Sequence, residues 1–70
     1  MRDWLVNTRN EKGMTQLEVA KKLNISEGYY SYIEKGQRQK NMDITLAAKL
    51  SDIFSIPLQR IVEFESSERI

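Results

Sequence analysis

Seventy residues with 11 Lys/Arg and 10 Asp/Glu give a formal charge of +1, and the chain has neither cysteine nor histidine. Disulfide frameworks and thiolate metal sites are therefore excluded, and the commonest general base and zinc ligand is missing. A domain this small buries only about 60% of the surface its unfolded chain exposes, which leaves little room for a walled cleft beside a core and argues against an enzyme.

Hydrophobic residues make up 40% of the chain, enough for one core and too many for a disordered tail. No apolar run approaches the roughly 18 residues of a membrane span. The opening Met1-Arg2-Asp3-Trp4 lacks the apolar stretch of a signal peptide. The expectation is one soluble, cytoplasmic domain over 1–70, with no cofactor, no metal and no membrane contact.

Glycine and proline are sparse (Gly13, Gly28, Gly36, Pro57) and β-branched alternation is absent, so the whole chain reads as helix. The first helix is expected from Asp3, as N-cap, to Lys12, with Gly13 ending it. Thr15-Gln16-Leu17-Glu18 is a capping-box pattern that opens the second helix, and Val19, Ala20 and Leu23 follow at helical spacing. Asn24 tolerates the left-handed conformation that closes it. Ser26 is the next N-cap, starting a third helix from Glu27 to about Lys35 that ends at Gly36. A polar loop over Gln37 to Met42 leads to Asp43, the cap of a fourth helix reaching Phe54. Its apolar face is expected at Ile44, Ala47, Leu50 and Phe54. Pro57 suits the first turn of a fifth helix bearing Leu58, Ile61 and Val62. Glu65 to Ile70 is polar and expected to fray.

Two short helices joined by a turn of three or four residues are the sequence form of a helix-turn-helix, here over about 16–35. The packing demands are met. Ala20 is the small residue needed where the helices cross, and Val19, Leu23, Ile25, Tyr30 and Ile33 supply the inner faces and turn. The run Gly13-Met14-Thr15-Gln16, Val19-Ala20, Leu23-Asn24-Ile25-Ser26 and Tyr30-Ser31-Tyr32-Ile33-Glu34-Lys35-Gly36 resembles the Cro/phage-repressor (XRE-like) helix-turn-helix family. The resemblance extends from about Leu5 to Phe64. It departs at Asn24, where the family usually has Gly, at Tyr30, where it often has Ile or Val, and in the loop, which lacks a common proline. It implies an all-α fold: a compact five-helix, lambda-repressor-like DNA-binding domain with the helix-turn-helix at helices 2 and 3.

The resemblance also places the third helix in the major groove of double-stranded DNA. Outward positions on this helix are Ser26, Glu27, Gly28, Ser31 and Tyr32, with Tyr29 beside them, and Glu27, Gly28, Ser31 and Tyr32 are the expected base contacts. Glu27 could accept from cytosine N4 or simply complement the helix dipole. Gly28 could permit close approach to a base pair or be a tolerated imperfection, since glycine costs about 0.8–1.0 kcal/mol relative to Ala inside a helix. Tyr32, about 200° around the helix from Tyr30, should face outward. The family's Gln, here Gln16, fixes the second helix against a phosphate. Ser26, Tyr29, Lys35, Arg38, Lys40 and Asn41 are the other expected phosphate contacts, with capping an equally good role for Ser26. By the same resemblance Arg9 pairs with Glu34 in a structural salt bridge.

Charge divides unevenly along the chain. Residues 1–40 hold eight Lys/Arg against five Asp/Glu, and residues 41–70 hold three against five. The basic half contains the helix-turn-helix; the acidic half contains the helices through which the family commonly dimerises. Ile61, Val62 and Phe64 are the expected dimer patch, or else cap the monomer's core. The leading expectation is a sequence-specific transcriptional regulator, a repressor binding a palindromic operator as a homodimer. Its release would depend on concentration, a regulatory protein partner or proteolysis. The alternative is an antitoxin or adaptor that uses the fold mainly to hold another protein.

Overall fold

A computed structural model describes residues 1–67, which form five helices and no strand. In chain order these are α1 (Asp3–Glu11), α2 (Gln16–Leu23), α3 (Glu27–Glu34), α4 (Ile44–Phe54) and α5 (Leu58–Ser67). The observed fold is the all-α, lambda-repressor-like arrangement, with α2 and α3 as the helix-turn-helix.

Four of the helices end in one way. A left-handed residue follows the last turn: Gly13 at φ 67°, Asn24 at 61°, Gly36 at 77° and Ser55 at 56°. In each case the N–H one residue further on reaches back to a carbonyl of the last turn. The bonds are Met14 to Arg9 at 3.1 Å, Ile25 to Ala20 at 3.0 Å, Gln37 to Tyr32 at 2.9 Å and Ile56 to Ser51 at 3.1 Å. This Schellman geometry satisfies orphan carbonyls and turns the chain sharply, so short helices follow one another without long loops. Starts are capped by side chains. Thr15 and Glu18 form the reciprocal capping box, at 3.1 and 2.8 Å. Ser26 accepts from the Tyr29 N–H and Asp43 from the Thr45 N–H.

The core gathers one face of every helix: Trp4 and Leu5 from α1, Val19, Ala20 and Leu23 from α2, Tyr30 and Ile33 from α3, Ala47, Leu50 and Phe54 from α4, and Ile61 from α5. Ala20 is fully buried, and its small side chain lets α2 and α3 approach closely.

Several expectations need correction. Asp3 is not the N-cap of α1. Arg2 occupies that position without a side-chain cap, and Asp3 lies in the first turn, where a carboxylate faces the positive end of the helix dipole. Ile44 is not on the buried face of α4. It is 66% exposed, and the buried face of the helix begins at Ala47, with Leu46 packed partly against the core. Lys12 and Lys35 are C-cap residues, one position beyond the helices assigned to them. The expected fraying from Glu65 onward is replaced by helix through Ser67, with Glu65 accepting hydrogen bonds from Arg2 and Trp4. The remainder of that expected tail, 68–70, lies outside the described residues.

Candidate nucleic-acid interface

The two ends of α3 are built differently, and both follow from local sequence. At the N-terminal end Ser26 satisfies one backbone N–H, and the next residues have no further structural duty. Glu27 is exposed and makes no ion pair or side-chain hydrogen bond among the described residues. Gly28 is exposed, and a Cβ built on it would meet nothing within 4 Å. The fold itself therefore does not require glycine there. Ser31 is half-buried on the same side. Tyr32, further along the outward face in the last turn, is 46% exposed, with the Lys35 ammonium 5.6 Å from its ring centroid in a cation–π contact. Tyr30 and Ile33, on the opposite face, are fully buried.

At the C-terminal end Glu34 is 2% exposed, and it is charged. Arg9 Nε donates to it at 2.6 Å and Gln16 Nε2 at 2.8 Å. Burial by itself would raise the Glu34 carboxyl. The hydrogen bonds from Arg9 and Gln16, with neighbouring Tyr30, outweigh it and hold the group below the usual carboxylate range. Arg9 also donates to the Met14 carbonyl at 3.0 Å, so one guanidinium fastens α1, the α1–α2 turn and α3. The Tyr30 hydroxyl lies beside this pair without a hydrogen bond of ordinary geometry. Burial first, and the Glu34 carboxylate second, push its pKa well up, so it stays neutral.

The expected phosphate contacts have unequal standing. Lys35, Arg38, Lys40 and Asn41 are exposed along the loop that follows α3, and Ser26 is exposed at its start. Gln16 is half-buried and its amide is held by Glu34 in the free protein, so its side chain does not reach outward. The start of α2 still presents the backbone N–H groups of Gln16 and Leu17, which by helix geometry have no intrahelical acceptor. Tyr29 is half-buried, and its hydroxyl accepts from Gln39 Nε2 at 3.2 Å. Gln39 in turn accepts from the Asp43 N–H at 2.9 Å, so this residue, not singled out from the sequence, joins α3 to the start of α4. Its φ of 56° marks it as the loop's turning point.

Of the expected dimer patch, Ile61 is buried at 1% and Phe64 is half-buried, stacked on Trp4 with ring centroids 5.3 Å apart. Both belong to the monomer's own packing. Val62 is 51% exposed and lines a shallow groove between α4 and α5 together with Met42 and the exposed Ile44.

The largest omission from the sequence reading is Arg2. It is 5% exposed and spans between α5, the end of α3 and the loop. Its partners lie 31 to 63 residues away in the chain, so no local pattern announces them.

The sequence profile of the Helix-turn-helix family matches residues 6–61. An uncharacterized HTH-type transcriptional regulator, YqaF, from Bacillus subtilis (strain 168) is 47% identical over 45 residues, which is 64% of this chain and 59% of that protein. The match thus spans less than two thirds of the relative's length. No solved structure matches significantly. With the profile covering all but the two ends of the chain, and with α2 and α3 joined through Asn24 as described, the protein is a member of the XRE-like (Cro/C1-type) helix-turn-helix family of transcriptional regulators.

Proposed function

We propose that the chain is a sequence-specific repressor that binds a palindromic operator in the cytoplasm as a homodimer. The observation that carries this reading is the outward face of α3: Glu27, Gly28 and Tyr32 are exposed and contribute nothing to the core, while the helix is anchored from behind. Glu27 and Tyr32 offer an acceptor and a hydroxyl to base edges, Ser31 a second hydroxyl, and Gly28 the clearance for close approach. Lys35, Arg38 and Lys40 flank this face as phosphate partners, with Asn41, Ser26 and the N–H groups at the start of α2 completing the cradle.

The longest dimension of the molecule is 28 Å, whereas successive major grooves on one side of DNA lie about 34 Å apart. Reading two half-sites therefore takes two copies. The α4–α5 groove with Ile44 and Val62 exposed is the face on which a second copy fits, since it would cover the two exposed large hydrophobic side chains of the described C-terminal half.

The test is retention of genomic DNA fragments by the protein at two salt concentrations, followed by sequencing. Enrichment of a few related palindromes, weakening steeply with salt, is the expected result. No enrichment at either salt, with a tight protein partner recovered instead, would overturn it in favour of an adaptor. Sedimentation equilibrium of Val62→Glu, expected to be monomeric where the parent is dimeric, tests the dimer separately.

A further inference from the structure

A guanidinium has five N–H donors, and all of those of Arg2 are engaged. Nε and Nη2 donate to the two carboxylate oxygens of Glu65 at 2.9 and 3.0 Å, a bidentate pair. Nη1 donates to the Ile33 carbonyl at 2.7 Å and to the Arg38 carbonyl at 3.2 Å, and Nη2 also donates to the Gln39 carbonyl. The backbone N–H of Arg2 donates to the Glu34 carbonyl at 2.7 Å. Glu65 is held from a third side by Trp4 Nε1 at 2.7 Å.

We propose that Arg2 is the positioning residue of the phosphate-contacting loop: anchored on α5 through Glu65, it sets the path of the backbone at Arg38 and Gln39 and so the place from which Arg38 and Lys40 meet DNA. Three facts support the assignment. First, Arg2 is buried with no donor left over, so it is not itself a phosphate contact. Secondly, two of the three carbonyls its guanidinium takes, those of Arg38 and Gln39, belong to the loop between α3 and α4, where Gln39 adopts a positive φ and regular secondary structure supplies no partners; the third, of Ile33, lies in the last turn of α3. Thirdly, only a planar fork reaches three carbonyls and a carboxylate at once; the compact ammonium of lysine does not. The proposal rests on the DNA-binding reading above.

The experiment is a mutant cycle of Arg2→Lys and Arg38→Ala. It is read by hydrogen exchange in the free protein and by binding to a duplex carrying the enriched sequence over a range of salt. Arg2→Lys should speed exchange of the Gln37 and Arg38 amides about tenfold or more while changing Val19 and Leu23 much less. It should weaken binding and flatten the salt slope by up to about one, although no exposed charge has been removed. Arg38→Ala should then add less than twofold in the Arg2→Lys background. Glu65→Gln, which keeps the shape of the anchor and removes its charge, runs the same cycle if Arg2→Lys does not fold. Effects that multiply fully at every salt, or unchanged exchange in the loop, would overturn the positioning role. Failure of the parent protein to retain DNA would instead overturn the DNA reading, and with it the purpose assigned to the clamp.

Discussion

The first and last turns of α3 adjoin in a helix of eight residues, yet they have opposite duties. The last turn is a junction: Glu34 collects Arg9 and Gln16, and its backbone carbonyl accepts from Arg2, so α1, α2 and the N-terminal segment all fasten there. The first turn has one capping bond and an outward face with no intramolecular role. A reading helix needs both. Its orientation must be set by interactions that survive contact with DNA, and the side chains offered to DNA must not be needed to hold the fold. Stability and recognition should therefore separate between the anchored and the outward side of a single helix, and mutations on the two sides are the way to break that claim.

The largest effect belongs to the anchored end. Glu34→Ala leaves the half-buried Arg9 guanidinium without its carboxylate and should destabilise the protein by about 3–5 kcal/mol, a fall in Tm of roughly 12 °C or more, measured by thermal melt. The same pair sets the acid limb. Because the Glu34 carboxyl is held below its unfolded value, the unfolded state binds the extra proton between the two pKa values. The contribution of the pair is thus complete above roughly pH 5 and disappears as pH falls through the lowered folded value. Melts of the parent and Glu34→Gln from pH 7 to pH 2 should converge at the acid end.

On the outward face, which Tyr32 shares with Glu27 and Gly28, the expected effects shift from stability to binding. Tyr32→Ala should change stability by no more than about 0.5 kcal/mol while costing about 1–3 kcal/mol of discrimination between the operator and a variant altered at the contacted base. Gly28→Ala sharpens the separation further, because the two readouts should move in opposite directions. Nothing in the fold meets the added methyl, so the helix gains up to about 1 kcal/mol. Binding should weaken if α3 closes on the groove as proposed. A Gly28→Ala protein that melts higher and binds equally well would make the glycine a mere imperfection. Smallest of all, Asn24→Gly and Ser55→Gly should each stabilise by roughly 0.5–1 kcal/mol, since both residues hold left-handed conformations that glycine adopts without strain.

These features were not equally legible in the sequence. The Thr15–Glu18 box, the Ser26 and Asp43 caps and the turn at Asn24 are short-range: the residues that bond are within a few positions of one another, so their types and spacing suffice. Ser55 has the same left-handed role as Asn24 but no characteristic residue type, so the end of α4 at Phe54 was legible while the means of closing it was not. Ile44 continues the apolar spacing of α4 and still faces solvent, because periodicity gives the direction of a side chain and not how far the neighbouring helices extend. Phe64 showed the converse. Its apolar character was plain, but its cover, the ring of Trp4, comes from the other end of the chain. Arg2 is the extreme case: its identity is ordinary at an N-terminus, and its role exists only once α5 and the loop after α3 are brought together.

The most direct test of the separation is a paired measurement on Tyr32→Ala: its Tm, and its relative affinity for the enriched operator and for a scrambled duplex at one salt concentration. An unchanged melt with operator preference reduced by at least about fivefold is the predicted result. A protein that melts well below the parent while keeping its full preference would contradict it, placing Tyr32 among the residues that hold the fold and removing α3's outward face from the reading of DNA.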